Sequence, residues 1–207
     1  MKLQAAMDVT TTRQALDLAA KVAPWVDILE LGTPLIKNEG LGAVRAVKEA
    51  HSLTTVFADL KTADAGELEA DLAFSAGADL VTVLGTAGDS TIAGAVRAAE
   101  RNGKAVVVDL IGVADKAVRA RAAIELGARF VEMHAGLDEQ AEKSFNLQRL
   151  LDAGRASGVP FSVAGGVNAT TLTAVRDAGA VVAVVGGALY NAPDPARAAQ
   201  ALRTALG

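Results

Sequence analysis

The chain contains no cysteine. Disulfides and thiolate metal sites are therefore excluded, and such usage fits a reducing cytosol. Aromatic residues make up only 3% of the 207 positions, so a chain that is 51% apolar must build its core from Ala, Val, Leu and Ile. Histidine occurs twice, at His51 and His134, a poor donor set for zinc. Positive charge is not in excess either. The 20 basic and 24 acidic residues leave a net charge of -4, without the basic footprint of nucleic-acid binding. No apolar run is long. The stretch from Ala178 to Tyr190 is too short and Gly-rich to span a bilayer, and Asp8 interrupts the N-terminal apolar residues short of a signal peptide. These absences predict a cytoplasmic protein with neither a nucleic-acid nor a membrane partner.

What the sequence does have is a rhythm. Gly77, Gly103, Gly127, Gly158 and Gly179 recur 21 to 31 residues apart, about one βα unit, and most end a helical pattern ahead of a β-branched run. Strands are expected near 3–8, 26–31, 54–59, 79–84, 104–110, 129–134, 160–164 and 181–185. Helices are expected near 12–22, 39–50, 65–76, 89–101, 115–126, 144–157, 169–177 and 194–205, the last with Asp194 as cap and Pro195 at its first position. The strands are apolar on both faces, as buried parallel strands are. Strict alternation without a compositional break predicts one (β/α)8 barrel domain over residues 1–207 rather than an open doubly wound sheet. The barrel is short for its class, and its brief loops leave little to roof a site. A partner subunit is a source of the missing wall.

Chemistry in such a barrel gathers at the C-terminal strand ends. Asp59-Leu60-Lys61-Thr62-Ala63-Asp64 places two carboxylates and an ammonium within six residues, directly after the apolar Thr55-Val56-Phe57-Ala58. In an extended strand Asp59 and Lys61 share a face. Charges gathered where a buried strand opens into a loop are costly unless they pair or hold something. Asp8, Glu30, Asp109 and His134 are expected at the same mouth. Glu30 and Asp59, on adjacent strands, offer hard oxygens suited to Mg²⁺. His134 has the chemistry to move protons near neutral pH, whereas His51 falls at a helix end, where a structural role is expected. Gly165-Gly166 and Gly186-Gly187 follow strands seven and eight. Those loops are the usual phosphate cradle of the fold, and backbone N–H groups there predict a phosphorylated small substrate.

These residues resemble the orotidine 5′-phosphate decarboxylase suprafamily, and within it the 3-hexulose-6-phosphate synthases. The Asp59-x-Lys61-x-x-Asp64 motif carries the likeness, with Glu30-Leu31-Gly32-Thr33-Pro34, Val108-Asp109-Leu110-Ile111-Gly112, His134-Ala135-Gly136-Leu137-Asp138-Glu139-Gln140 and Val163-Ala164-Gly165-Gly166-Val167. The resemblance implies a homodimeric barrel with active sites at the subunit interface. It implies Mg²⁺ on Glu30 and Asp59, with Mn²⁺ able to substitute, and Lys61 on the reacting oxygens. Asp64 would reach the neighbouring site, Asp8 would bind substrate hydroxyls, and His134 would act as acid or base, with Asp59, Asp64 and Asp109 able to share the proton work. The implied reaction is the aldol condensation of D-ribulose 5-phosphate with formaldehyde, giving D-arabino-3-hexulose 6-phosphate. The alternatives are decarboxylation of 3-keto-L-gulonate 6-phosphate and a non-catalytic sugar-phosphate-binding barrel. Asp109, Leu137 and Gly187 depart from the decarboxylase pattern, which has glutamate, arginine and arginine there, and so favour the synthase.

Overall fold

The structure, a computed structural model, describes Met1–Gly207. Strands β1 (Lys2–Met7), β2 (Ile28–Leu31), β3 (Thr55–Thr62), β4 (Leu80–Leu84), β5 (Ala105–Asp109), β6 (Phe130–His134), β7 (Phe161–Ala164) and β8 (Val182–Val185) pair in sequence order. All are parallel, and β8 returns to β1 through Lys2↔Val182 to Ala5↔Val185, closing the barrel. The open sheet is thereby excluded. Around it run α1 (Thr12–Val22), α2 (Thr33–Glu39), α3 (Gly42–Ala50), α4 (Gly66–Ser75), α5 (Asp89–Asn102), α6 (Lys116–Glu125), α7 (Leu137–Ala141), α8 (Leu147–Ser157), α9 (Leu172–Asp177), α10 (Gly187–Tyr190) and α11 (Pro195–Leu206). No helix is long and apolar enough to cross a membrane.

Strand alternation sorts side chains into two cores. Ala6, Ile28, Phe57, Val107, Phe130, Ala164, Val182 and Val184 meet inside the barrel. Their strand neighbours, such as Leu29, Leu31, Val106, Val108, Val131 and Met133, belong to the larger core between strands and helices. The buried polar residues Gln4, Glu30, Asp59, Thr82, Asp109, Glu132 and Ser162 all share the inward parity. A polar set therefore sits inside the barrel beside a small apolar plug.

The five helix-ending glycines all adopt positive φ, between +64° and +105°. Asp194 caps α11 by accepting from the Arg197 N–H at 3.1 Å, with Pro195 at the first position. Three short helices, α2, α7 and α10, occupy stretches expected to be loops. Each follows a glycine (Gly32, Gly136, Gly186) that supplies no side-chain cap, so the usual start signal is absent. The helix expected at 39–50 is α3 and starts later, at Gly42, because Gly40, whose φ is +68°, ends α2 just before it. His51 ends α3, its N–H donating to the Val47 carbonyl.

The N-terminal end of the barrel is tied by carboxylates. Asp27 accepts from the Leu3 N–H at 2.7 Å and from Arg203 of α11 at 2.6 Å. Asp79 accepts from Lys48 at 2.7 Å, Lys104 at 2.6 Å and the Val56 N–H at 2.9 Å, joining β3, β4 and the start of β5. Burial pushes the Asp79 carboxyl up, but the hydrogen bonds from Lys104, Lys48 and Val56 outweigh it and hold it below its ordinary value. A depressed carboxylate contributes stability above its unfolded pKa and loses it as pH falls through the folded value. Asp79→Ala is therefore expected to cost about 2 kcal/mol in urea denaturation at pH 7. The gap to the parent should close below about pH 4; a gap unchanged by acid would remove the ionic explanation.

Candidate active site

A cavity of about 530 Å³ opens at the C-terminal ends of the strands. Asp8, Glu30, Asp59, Lys61, His134 and all four paired glycines line it, and Asp109 lies fully buried against Lys61 and His134. The short helices α2, α7 and α10 form part of its rim through Thr33, Gln140 and Tyr190.

Lys61 is the centre of the charge arrangement. Its Nζ lies 2.6 Å from Asp59 Oδ2 and 3.3 Å from Asp109 Oδ2. The two neighbours in sequence do meet, but not through the simple alternation expected. β3 continues past Asp59 to Thr62 with a bulge, where pairing with β4 jumps from Ala58↔Val81 to Thr62↔Val83. Lys61 sits within it at φ +48°, a left-handed conformation that is costly for a side-chain-bearing residue. The Thr82 hydroxyl holds it there by accepting from the Lys61 N–H at 2.8 Å, and itself donates to Asp59 Oδ1 at 2.8 Å. Thr33 donates to Asp59 Oδ2 at 2.6 Å. Burial alone would depress the Lys61 ammonium, but Asp59 and Asp109 hold it well above its ordinary range. It is a permanent cation.

Asp109 orients His134, whose Nδ1 lies 2.9 Å from Oδ2. Burial raises the Asp109 carboxyl, yet His134, Lys61 and the Ile111 N–H bring it below its usual value, so it is ionised. An ionised carboxylate accepts at Nδ1–H, which leaves the His134 Nε2 lone pair free. Asp8 is packed so tightly that a Cβ at Gly32 would fall 2.1 Å from its Oδ1. Burial and the Asp59 charge push Asp8 up.

Among the paired glycines, the N–H groups of Gly165, Gly186 and Gly187 have no protein partner, whereas the Gly166 N–H donates to Gln140 at 3.0 Å. Three of the four paired glycines that line this side of the cavity thus keep a free N–H. Asp64 stands apart. It is exposed and lines a shallow cleft with Glu67, Ser90, Thr91 and Arg97, outside the cavity of its own chain.

Glu132 is the buried acid that sequence reasoning overlooked. It sits two residues before His134 on β6, so period-two alternation was the available signal. Its Oε2 is buried without a partner, and burial, with Asp109 and Glu30 nearby, raises it well above the usual range. Burial and the Asp59 charge likewise push Glu30 up to about 8, against the hydrogen bond from Gln4. Four buried carboxylates around one lysine form an electron-rich donor set that fits a hard divalent cation. Glu30 accepts one hydrogen bond and Asp59 three from side chains of the roughly four a carboxylate can take, so both keep lone pairs for an ion. Asp109, Glu132 and His134 also offer three donor atoms mutually within 4.8 Å.

This architecture recurs in known proteins. The chain is 65% identical over 206 residues to the 3-hexulose-6-phosphate synthase of Mycobacterium gastri, covering all of both chains. It is 44% identical over 197 residues to that of Methylomonas aminofaciens, covering 95% of this chain and 94% of the relative. A crystal structure of a 3-hexulose-6-phosphate synthase superposes with a TM-score of 0.98 at 66% identity, covering 99% of each chain. With a family-level match across residues 1–202 as well, the chain belongs to the orotidine 5'-phosphate decarboxylase / HUMPS family.

Proposed function

We propose that the chain condenses formaldehyde with D-ribulose 5-phosphate to give D-arabino-3-hexulose 6-phosphate, as a 3-hexulose-6-phosphate synthase. The observation that carries this reading is the Lys61 ammonium held between Asp59 and Asp109 on a cavity whose rim offers free N–H groups, in a chain 65% identical end to end to a protein of that name.

Each residue has a task in that reaction. The N–H groups of Gly165, Gly186 and Gly187 take the phosphate, and Asp8 takes sugar hydroxyls. His134 removes the C1 proton through Nε2, and Asp109 stabilises the imidazolium so formed. Lys61 faces the enediolate oxygens and offsets the negative charge that develops there. C1 then attacks the formaldehyde carbon, and the new alkoxide recovers the proton from His134, so no proton is gained or lost overall. Glu30 and Asp59 would hold Mg²⁺, or Mn²⁺ in its place. The chemistry such an ion supplies when bound is polarisation of the ketone oxygen. Formaldehyde is too small to be recognised by many contacts, so specificity rests on the sugar phosphate.

The assembly proposed is a homodimer in which Asp64 reaches the partner's cavity. Support comes from Leu68 and Leu72, 63% and 53% exposed on α4 close to Asp64. A cytoplasmic location follows from the chemistry of such an enzyme and the lack of cysteine.

The test is NMR of ribulose 5-phosphate with the protein, Mg²⁺ and ¹³C-formaldehyde. The label is expected at C1 of the hexulose phosphate. Release of CO₂ from 3-keto-L-gulonate 6-phosphate at a higher kcat/KM would favour the decarboxylase. Binding of ribulose 5-phosphate without C1 exchange in deuterated water would favour a non-catalytic barrel.

A further inference from the structure

Gln140 joins the two loops beside the proposed anion site. It lies on α7, half-buried, after β6 and His134. Its Nε2 donates to the Ala135 carbonyl at 2.8 Å, and its Oε1 accepts from the Gly166 N–H at 3.0 Å. One side-chain amide thus holds the β6 loop to the β7 loop, as a backbone rung holds two strands. A primary amide is suited to this because it carries a donor and an acceptor on one planar group.

The Gly165–Gly166 pair needs such a restraint. Its φ values are +97° and +73°, and glycine surrenders more conformational freedom on ordering than any other residue. A side chain at Gly165 could not stiffen the loop instead, because its Cβ would fall 2.4 Å from the Ala135 carbonyl oxygen. The Gly166 N–H is engaged by Gln140 and so is not itself offered to an anion. The adjoining Gly165 N–H has no protein partner; the Ala164 carbonyl of its own peptide is held by the Ala135 N–H at 3.1 Å, so strand pairing aims that N–H while Gln140 fixes the Gly165–Gly166 peptide that follows it.

We propose that Gln140 is a positioning residue for phosphate. Its amide locks the Gly165–Gly166 peptide, and so holds the turn beside the anion in the course that strand pairing begins at Gly165, and it couples that turn to the loop following His134. This rests on the phosphate assignment proposed above. Gln140→Ala removes the clamp. Gln140→Glu keeps an acceptor for Gly166, loses the donor to Ala135, and sets a negative charge beside the dianion.

The experiment measures steady-state kinetics with ribulose 5-phosphate and formaldehyde, and competition by inorganic phosphate, in the parent and both variants. In Gln140→Ala, KM for ribulose 5-phosphate should rise about tenfold, equivalent to 1.4 kcal/mol. The phosphate inhibition constant should rise in step, with kcat within about threefold of the parent. Gln140→Glu should be worse in KM and in phosphate inhibition. A merely structural role would lower the melting temperature without this split. Phosphate competing equally well in all three proteins overturns the role of Gln140 and leaves the anion site standing. Phosphate failing to compete in the parent overturns the anion site and the proposal with it.

Discussion

Asp59→Ala is expected to lower kcat about 10³-fold, some 4 kcal/mol of transition-state stabilisation. Asp59 accepts from Lys61, Thr33 and Thr82 at once, so its carboxylate locates the ammonium as well as offering oxygens to a cation. Truncation leaves Lys61 with Asp109 as its one ion-pair partner, drawn toward the side of the cavity that His134 occupies. The same variant should lose binding of Mn²⁺ followed by electron paramagnetic resonance, which separates a lost ion from a misplaced lysine. EDTA should silence the parent protein to a comparable degree. Full activity of the parent in EDTA would remove the metal from the account, and a variant within about tenfold of the parent would remove Asp59 from the chemistry.

Asp64→Ala should also be severe, at about 10²-fold in kcat, although Asp64 is exposed and touches nothing in its own chain's cavity. An exposed carboxylate outside the site would ordinarily be dispensable. The prediction is large because the proposed dimer carries Asp64 into the partner's cavity. Mixing Asp64→Ala chains with inactive Glu30→Ala chains tests this directly. Each mixed dimer would hold one intact site, so random exchange should restore about a quarter of the sites. Mixed dimers verified by mass spectrometry but without activity would place the site within one chain.

The rhythm of glycines and β-branched runs was enough to foresee eight parallel strands closing into a barrel, because buried parallel strands and capped helices leave local signatures. The residues that line the cavity were also legible as strand-end polar groups: Asp8, Glu30, Asp59, Lys61 and His134. Glu132 was hidden among apolar neighbours on β6, where only its parity with His134 marked it. The short helices α2, α7 and α10 were invisible because glycine caps carry no side-chain signal, yet they supply the rim.

By itself, the amino-acid sequence determined the periodicities, and with them which residues of a strand share a face; which face lies inside the barrel was decided by its closure. Periodicity is a local property, set by the two-residue repeat of a strand and the sterics of each backbone. Only the tertiary structure decided that Lys61 bridges Asp59 and Asp109, that Gln140 takes the Gly166 N–H, and that Asp64 lies outside the cavity. Those outcomes depend on a bulge and on contacts between residues 26 to 48 positions apart, whose energies are settled by closure of the barrel rather than by any short stretch of chain.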